Sequence, residues 1–368
     1  MAIGSDLRAC SRPPRLERLN ALRGPAALLV VGYHVRQIAI RDMGSAAGFE
    51  FWSFGHAGVD LFFVISGFVI YLVHWRDIAK PSRLRNFLRR RLTRVYPPLW
   101  IVTTGVLAGA LITAHAVHAE KLRLPFILKS YLLWPIQQSL PLVPPAWTLS
   151  HEVKFYLIFA SAIALPRRLS AFLLAIVLTG SILVGAYELW GSLQLPFWAS
   201  FCLSPYNLEF AGGVLAAVIL LNWTVTPARA LAALGVSLWA VAAFNDQSLY
   251  APDAAQVVRY ALPSVLIVLG VAARDARVPV FRGPLLGFIG NASYSVYLVH
   301  LPVIIVAVRA AKARHLQPNS LVLTLVAITA TIAGFMFHAT VERPLTRLLA
   351  TRASAGTPQV PRDRSSPE

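Results

Sequence analysis

"ALRGPAALLVVGYHVRQIAI", residues 21–40, decides how this chain is read. The run is long and apolar enough to cross a bilayer core, which takes about 20 such residues in a helix. It nevertheless carries Arg23 near one end and His34 deep inside. An Arg at the centre of a membrane helix costs roughly 2.5–3.5 kcal/mol on insertion scales. Ionisable residues kept within a span at such a cost point to function. His34 stands eleven positions beyond Arg23. At about 1.5 Å per residue this is roughly 16.5 Å along the helix. At about 100° per residue it is close to three full turns, so both project from one face.

The rest of the chain supports a membrane setting. Hydrophobic residues make up 57% of the 368, charged residues 14%, and the mean hydropathy is +0.61. Soluble domains carry about 25% charged residues. Ten apolar runs can be drawn, at roughly 21–40, 57–75, 96–114, 147–165, 170–190, 206–222, 229–244, 257–272, 286–309 and 320–341. The expected fold is all-α, a polytopic helical bundle of about ten transmembrane helices. A cytoplasmic segment at 1–20, a membrane domain at 21–345 and a disordered cytoplasmic tail at 346–368 complete the division. No signal peptide is expected, since the polar N-terminus leads straight into the first span.

The formal net charge of +18 suggests nucleic acid at first sight, but the charge sits in short loops between apolar runs. With ten spans both termini share a side. Placing them in the cytoplasm puts about 23 of the 34 Lys and Arg residues on that side, in keeping with the positive-inside rule. This predicts a multi-pass protein of the cytoplasmic (inner) membrane, in contact with lipid and not with nucleic acid. The segment 76–94 reads as a basic amphipathic helix on the cytoplasmic leaflet. The segment 124–145, apolar but broken by prolines, reads as an interfacial or re-entrant piece on the outer side. Two cysteines, Cys10 and Cys202, make no disulfide framework and have no metal-ligand spacing. No metal site is expected.

Span direction then sorts the ionisable residues by depth. His34, Asp60, Glu152 and His300 fall toward the outer face. An imidazole with carboxylates that orient it is acid–base equipment. Arg23, Arg91 and Arg94 fall toward the inner face, and arginine clusters suit phosphates through forked, charge-assisted hydrogen bonds. Ser66 and Gly67 in "ISGFVIY" (65–71) read as helix packing. No Gly-x-Ser-x-Gly elbow of a serine hydrolase is present.

These motifs carry a resemblance. "LRGPAALLVVGYH" (22–34), "GVDLFFVISGFVI" (58–70), "RRRLTRVYPPLW" (89–100), "WTLSHEVKFY" (147–156), "SYSVYLVHLP" (293–302) and "VERP" (341–344) resemble, in order, the signatures of the acyltransferase type 3 family of integral membrane acyltransferases. The fourth departs from the usual Trp-Ser-Leu-Ser-Val-Glu-Glu-Gln-Phe-Tyr at His151, Val153 and Lys154, while Glu152 keeps the first carboxylate. Some relatives carry a fused extracytoplasmic esterase-like domain after the membrane core, and none is expected here.

The resemblance implies transfer of an acyl group, most often acetyl, from acyl-coenzyme A to a hydroxyl of a carbohydrate such as an exopolysaccharide or O-antigen. Acylation of a macrolide or other secondary-metabolite sugar is the alternative acceptor, and a transporter or flippase the alternative class. No cofactor is expected to be permanently bound, since acetyl-coenzyme A is a substrate. It would sit at the cytoplasmic face with its phosphates on Arg91, Arg94 and Arg23. His34 would serve as general base or as transient acyl carrier, with Asp60 or Glu152 holding its tautomer. Trp147 and Tyr156 would line the acceptor site, with His300 near the substrates. The acceptor, lipid-linked or extracytoplasmic, would approach from the outer face.

Overall fold

A computed structural model describes residues 16–113, 119–191, 195–246, 253–278 and 284–355. Cys10, most of the segment 1–20 and residues 356–368 lie outside the described residues. The described residues form helices and connecting turns, with no strand among them. Thirteen α-helices follow in order: α1 (Glu17–Met43), α2 (Gly58–His74), α3 (Leu84–Thr113), α4 (Leu124–Leu132), α5 (Trp147–Ala164), α6 (Arg167–Trp190), α7 (Phe197–Cys202), α8 (Tyr206–Asn222), α9 (Ala228–Phe244), α10 (Asp253–Arg277), α11 (Pro284–Ala313), α12 (Ser320–Phe337) and α13 (Arg343–Ala355).

A helix occupies each of the ten apolar runs. Among the described residues, seven helical stretches are long and apolar enough to cross a membrane: Glu50–Asp77, Pro81–Ile112, Arg167–Trp190, Phe197–Asn222, Asp253–Arg277, Gly287–Ala313 and Ser320–Leu349. Helix α9 is apolar but shorter, at 17 residues. Polar and charged residues interrupt α1 and α5. These two are the helices that bring His34 and Glu152 into the bundle. The exterior is as apolar as a lipid-facing surface should be: Phe172, Leu183, Leu321 and Val306 are all exposed. The chain is a multi-pass membrane protein.

Two segments differ from their hydropathy reading. The basic run 84–94 is not a separate surface helix. It is the first three turns of α3, which continues through Pro97 and Pro98 to Thr113. Residues 346–355, at the head of the expected tail, continue the chain as α13, after a π-helical turn at His338–Glu342. The segment 124–145 holds one short α-helix, α4, of 9 residues, and the start of a 3-10 turn at Pro144–Ala146.

Helix α2 lies at the centre. It packs on α8, α1 and α10 and has 12 of its 17 residues buried. The α2–α8 contact is close because both helices lack a side chain where they meet. A Cβ on Gly67 would lie 2.0 Å from the Phe210 carbonyl oxygen, and one on Gly213 would lie 2.0 Å from that of Val64. Small residues permit this approach of two backbones. Gly67 is therefore a packing residue, as its neighbours suggested. One consequence is chemical: the same crossing carries Asp60 of α2 against Glu209 of α8. Helix α1 packs mainly on α11, which joins His34 to His300.

Candidate active site

Three cavities follow one another along α1 and α2. The first, of about 560 Å³, is a basic chamber whose walls include Arg23, Arg94, Arg343 and Arg347. The second is a waist of about 60 Å³, lined by Arg23, Ser66, Arg91, Arg94, Glu152 and Tyr294 among others. The third, of about 670 Å³, is a histidine chamber bordered by His34, His56, Trp147, Tyr206, Asp253 and Gln256. Arg23, Ile65, Val69 and Arg94 belong to both the first and the second. Val59 and Tyr297 belong to both the second and the third. Arg23 and His34 thus face one column of space, as their spacing on α1 requires.

The imidazole of His34 is fixed by its own helix. Its Nδ1 lies 2.9 Å from the Val30 carbonyl oxygen, one turn back. A carbonyl only accepts, so Nδ1 carries the hydrogen and Nε2 keeps the lone pair. His300 completes the arrangement. Its Nδ1 lies 3.1 Å from the Val296 carbonyl oxygen and its Nε2 lies 3.2 Å from His34 Nδ1. By the same logic His300 Nε2 is an acceptor, and the His34 Nδ1–H is shared between Val30 and His300. The two rings lie 5.0 Å apart. His300 is fully buried, at 0% exposure, and pairs with His34.

Neither expected carboxylate orients His34. Asp60 accepts from Gln256 Nε2 at 2.6 Å and abuts Glu209. Glu152 accepts from Tyr156 OH at 2.5 Å and from Ser66 Oγ at 3.4 Å. Glu152 and Tyr156 are four residues apart, so they share one face of α5, and that face meets the waist. This corrects two placements. Glu152 belongs with the arginines, not with His34. Tyr156 is buried beneath Arg91, whose guanidinium carbon lies 5.9 Å from the ring centre, and is not a wall of the histidine chamber. Trp147, one helical turn before His151, does border that chamber.

The waist holds an unused donor. Arg91 is buried, and the Nε of Arg23 is buried with no hydrogen-bond partner among the described residues. Buried polar atoms are nearly always paired, so an orphan donor in a cavity wall marks a place for an acceptor atom. Arg94, three residues beyond Arg91 on α3, is exposed into both the waist and the basic chamber. Arginine forks bind phosphate and carboxylate oxygens. Among the described residues no group of three or more His, Cys, Asp or Glu side chains could hold a metal ion, and Cys202 is a free thiol.

Several participants were not expected, among them Glu209, Gln256, Asp253 and Tyr294. Glu209 had a signal, since it is a carboxylate within the apolar run 206–222. Tyr294 lies within the motif 293–302 but is one of two tyrosines there with nothing to choose between them, and Asp253 and Gln256 had no signal, because a polar residue at the head of a span is ordinary.

Comparison with known proteins gives this geometry its class. Residues 16–339 match the profile of the acyltransferase domain family. The chain is 30% identical over 322 residues to the exopolysaccharide production protein ExoZ of Rhizobium meliloti (strain 1021), covering 83% of this chain and 94% of that protein. It is 28% identical to the acyltransferase MdmB of Streptomyces mycarofaciens over 97% of this chain and 99% of that one. The O-acetyltransferase OatA of Staphylococcus aureus is 24% identical over 80% of this chain, which matches 51% of that longer protein. No solved structure matches. The chain belongs to the acyltransferase domain family and is a membrane acyltransferase.

Proposed function

We propose that the protein transfers an acyl group, most often acetyl, from acyl-coenzyme A to a hydroxyl of a carbohydrate. The observation that carries this is the shape and chemistry of the column: a wide basic chamber, a thin arginine-lined waist and a wide chamber holding a histidine with a free Nε2. Coenzyme A has the same profile, with a bulky phosphorylated nucleotide at one end, a long thin arm, and a thioester at the tip. Its phosphates sit in the basic chamber on Arg94 and its neighbours. Its arm passes the waist beside Arg23 and Arg91. Its thioester is presented toward His34. In this reading the termini are cytoplasmic, as the positive-inside distribution of Lys and Arg suggests, so the basic chamber opens to the cytoplasmic side and the histidine chamber to the outer side.

His34 then acts as general base. Nε2 takes the proton of the acceptor hydroxyl while that oxygen attacks the thioester carbonyl carbon. As the tetrahedral intermediate collapses the carbon–sulfur bond breaks, and the sulfur leaves with the proton held on Nε2. The products are an ester and the free thiol. During the step the ring is an imidazolium whose Nδ1–H stays on Val30 and His300. No carboxylate is required to hold the tautomer, because the backbone already does. This favours the general base over a covalent acyl carrier, since the lone pair faces the chamber where the acceptor binds.

The carbohydrate acceptor is suggested by the name of the Rhizobium relative, an exopolysaccharide production protein. The test is direct. Purified protein in detergent is given acetyl-coenzyme A with labelled acetyl and the total surface glycan of a host strain lacking the gene. Label is expected in the glycan. Coenzyme A binding by the protein alone separates this reading from a transporter, which has no use for it. A protein that neither binds coenzyme A nor labels the glycan would refute the proposal.

A further inference from the structure

The histidine chamber has a second polar wall that the reaction above leaves unused. It is built from the first turn of α10, with Asp253 and Gln256, and from Tyr206 at the start of α8. The Tyr206 hydroxyl lies 3.2 Å from Asp253 Oδ1 and 3.4 Å from Gln256 Oε1, and its single hydrogen serves both. Gln256 Nε2 donates to Asp60 Oδ2 at 2.6 Å. Trp147 borders the same space and leans on Tyr206, with ring centres 5.7 Å apart.

Behind this wall is an anchor. Asp60 and Glu209 are both 0% exposed. Asp60 Oδ1 and both carboxylate oxygens of Glu209 have no donor among the described residues, and the two side chains face each other. Two carboxyl groups hydrogen-bond only when a proton lies between them. A proton shared by the pair would hold the remaining Asp60 oxygen still, and with it the carboxamide of Gln256. Asp60 is a positioning residue.

What the wall offers is one-sided. Asp253 presents a carboxylate, which only accepts, and Gln256 turns its carbonyl oxygen toward Tyr206 and its amide toward Asp60. A phosphate or carboxylate would meet the charge of Asp253. A neutral ligand bearing neighbouring hydroxyls satisfies the wall, and an indole edge or face beside it suits the C–H surface of a sugar ring. The volume of about 670 Å³ lies within the roughly 300–1,000 Å³ of small-molecule sites.

We infer that Asp253, Gln256 and Trp147 form the acceptor subsite, holding a sugar ring by two neighbouring hydroxyls while another hydroxyl faces Nε2 of His34. This rests on the acyl-transfer reading and adds to it the residues that choose the acceptor. The test uses the full chain in detergent, acetyl-coenzyme A with labelled acetyl, and the same glycan from the strain lacking the gene. Asp253→Asn should raise the apparent KM for glycan at least about tenfold, the loss expected for one hydrogen bond to a charged group. The KM for acetyl-coenzyme A should stay where it is. A second pair guards against misfolding: Trp147→Phe keeps a ring and should raise the glycan KM less than Trp147→Ala does. An unchanged glycan KM in Asp253→Asn, or an equal rise in both KM values, overturns the subsite and leaves acyl transfer standing. Failure of the wild-type protein to label the glycan overturns acyl transfer to carbohydrate, and the subsite with it.

Discussion

The two chambers are of similar size and opposite chemistry. The basic chamber and the waist present arginines, with Arg23 Nε still lacking a partner. The histidine chamber presents a lone pair on His34 and acceptor oxygens on Asp253 and Gln256. One end of the column seeks acceptor atoms, the other seeks hydroxyl hydrogens. A single helix, α1, contributes the key residue to each. The difference teaches that the polarity of the lining reverses along the column, which is what the proposed reaction needs to sort its two substrates. In the proposed reaction the donor's phosphates take the arginine end and the acceptor takes the histidine end, and the two meet only at His34. Mutations at the two ends should therefore separate in kinetics.

The largest effect belongs to His34. His34→Ala should lower transfer of labelled acetyl to glycan by about 10²–10⁴-fold, the usual contribution of a positioned base. Coenzyme A binding should survive, since the ring lies in the other chamber. Activity near wild type would remove the base from the mechanism. Next comes Arg91, buried in the waist above Tyr156. Arg91→Ala should weaken coenzyme A binding by about 10–100-fold, from the loss of one or more charge-assisted hydrogen bonds. The glycan KM should not follow. If it does, the two ends are not independent and the comparison fails.

The spacing on α1 offers a sharper test. One alanine inserted between Arg23 and His34 turns one residue about 100° relative to the other. Transfer should be lost while coenzyme A binding, which needs only the Arg23 end, is kept. Loss of both would mean that the helix as a whole was displaced, and would be seen also as reduced expression.

How far these features were legible follows from what a sequence encodes. Hydropathy marks where helices lie, and a helix does occupy each apolar run. Depth is legible too, since rise per residue is constant. That is why Arg23 and His34 fall on one column. Azimuth between different helices is not legible. Glu152 lies at a plausible depth for His34, yet α5 turns it to Ser66, Tyr156 and the arginines. Asp60 is drawn to Glu209 by the glycine crossing of α2 and α8, a contact that neither helix announces alone. The His34–His300 bond spans 266 residues and depends on how α1 meets α11. The backbone capture of His34 Nδ1 was in principle readable, because Val30 stands four residues before it on the same helix.

The smallest effect tests the anchor behind the acceptor wall. If Asp60 and Glu209 are joined by one proton, Glu209→Gln should be nearly silent. The amide N–H of glutamine donates to Asp60 Oδ1 as the shared proton did, and little volume changes. Glu209→Ala should not be silent. It leaves Asp60 Oδ1 buried without a donor, at a cost of about 1–3 kcal/mol, and it empties space beside the Gly67–Gly213 crossing. The readout is the glycan KM together with thermal stability in detergent. Alanine should raise the first and lower the second, and glutamine should do neither. Equal damage from both would mean that Glu209 acts as a charge, and that Gln256 is held in place by something other than a hydrogen-bonded carboxyl pair.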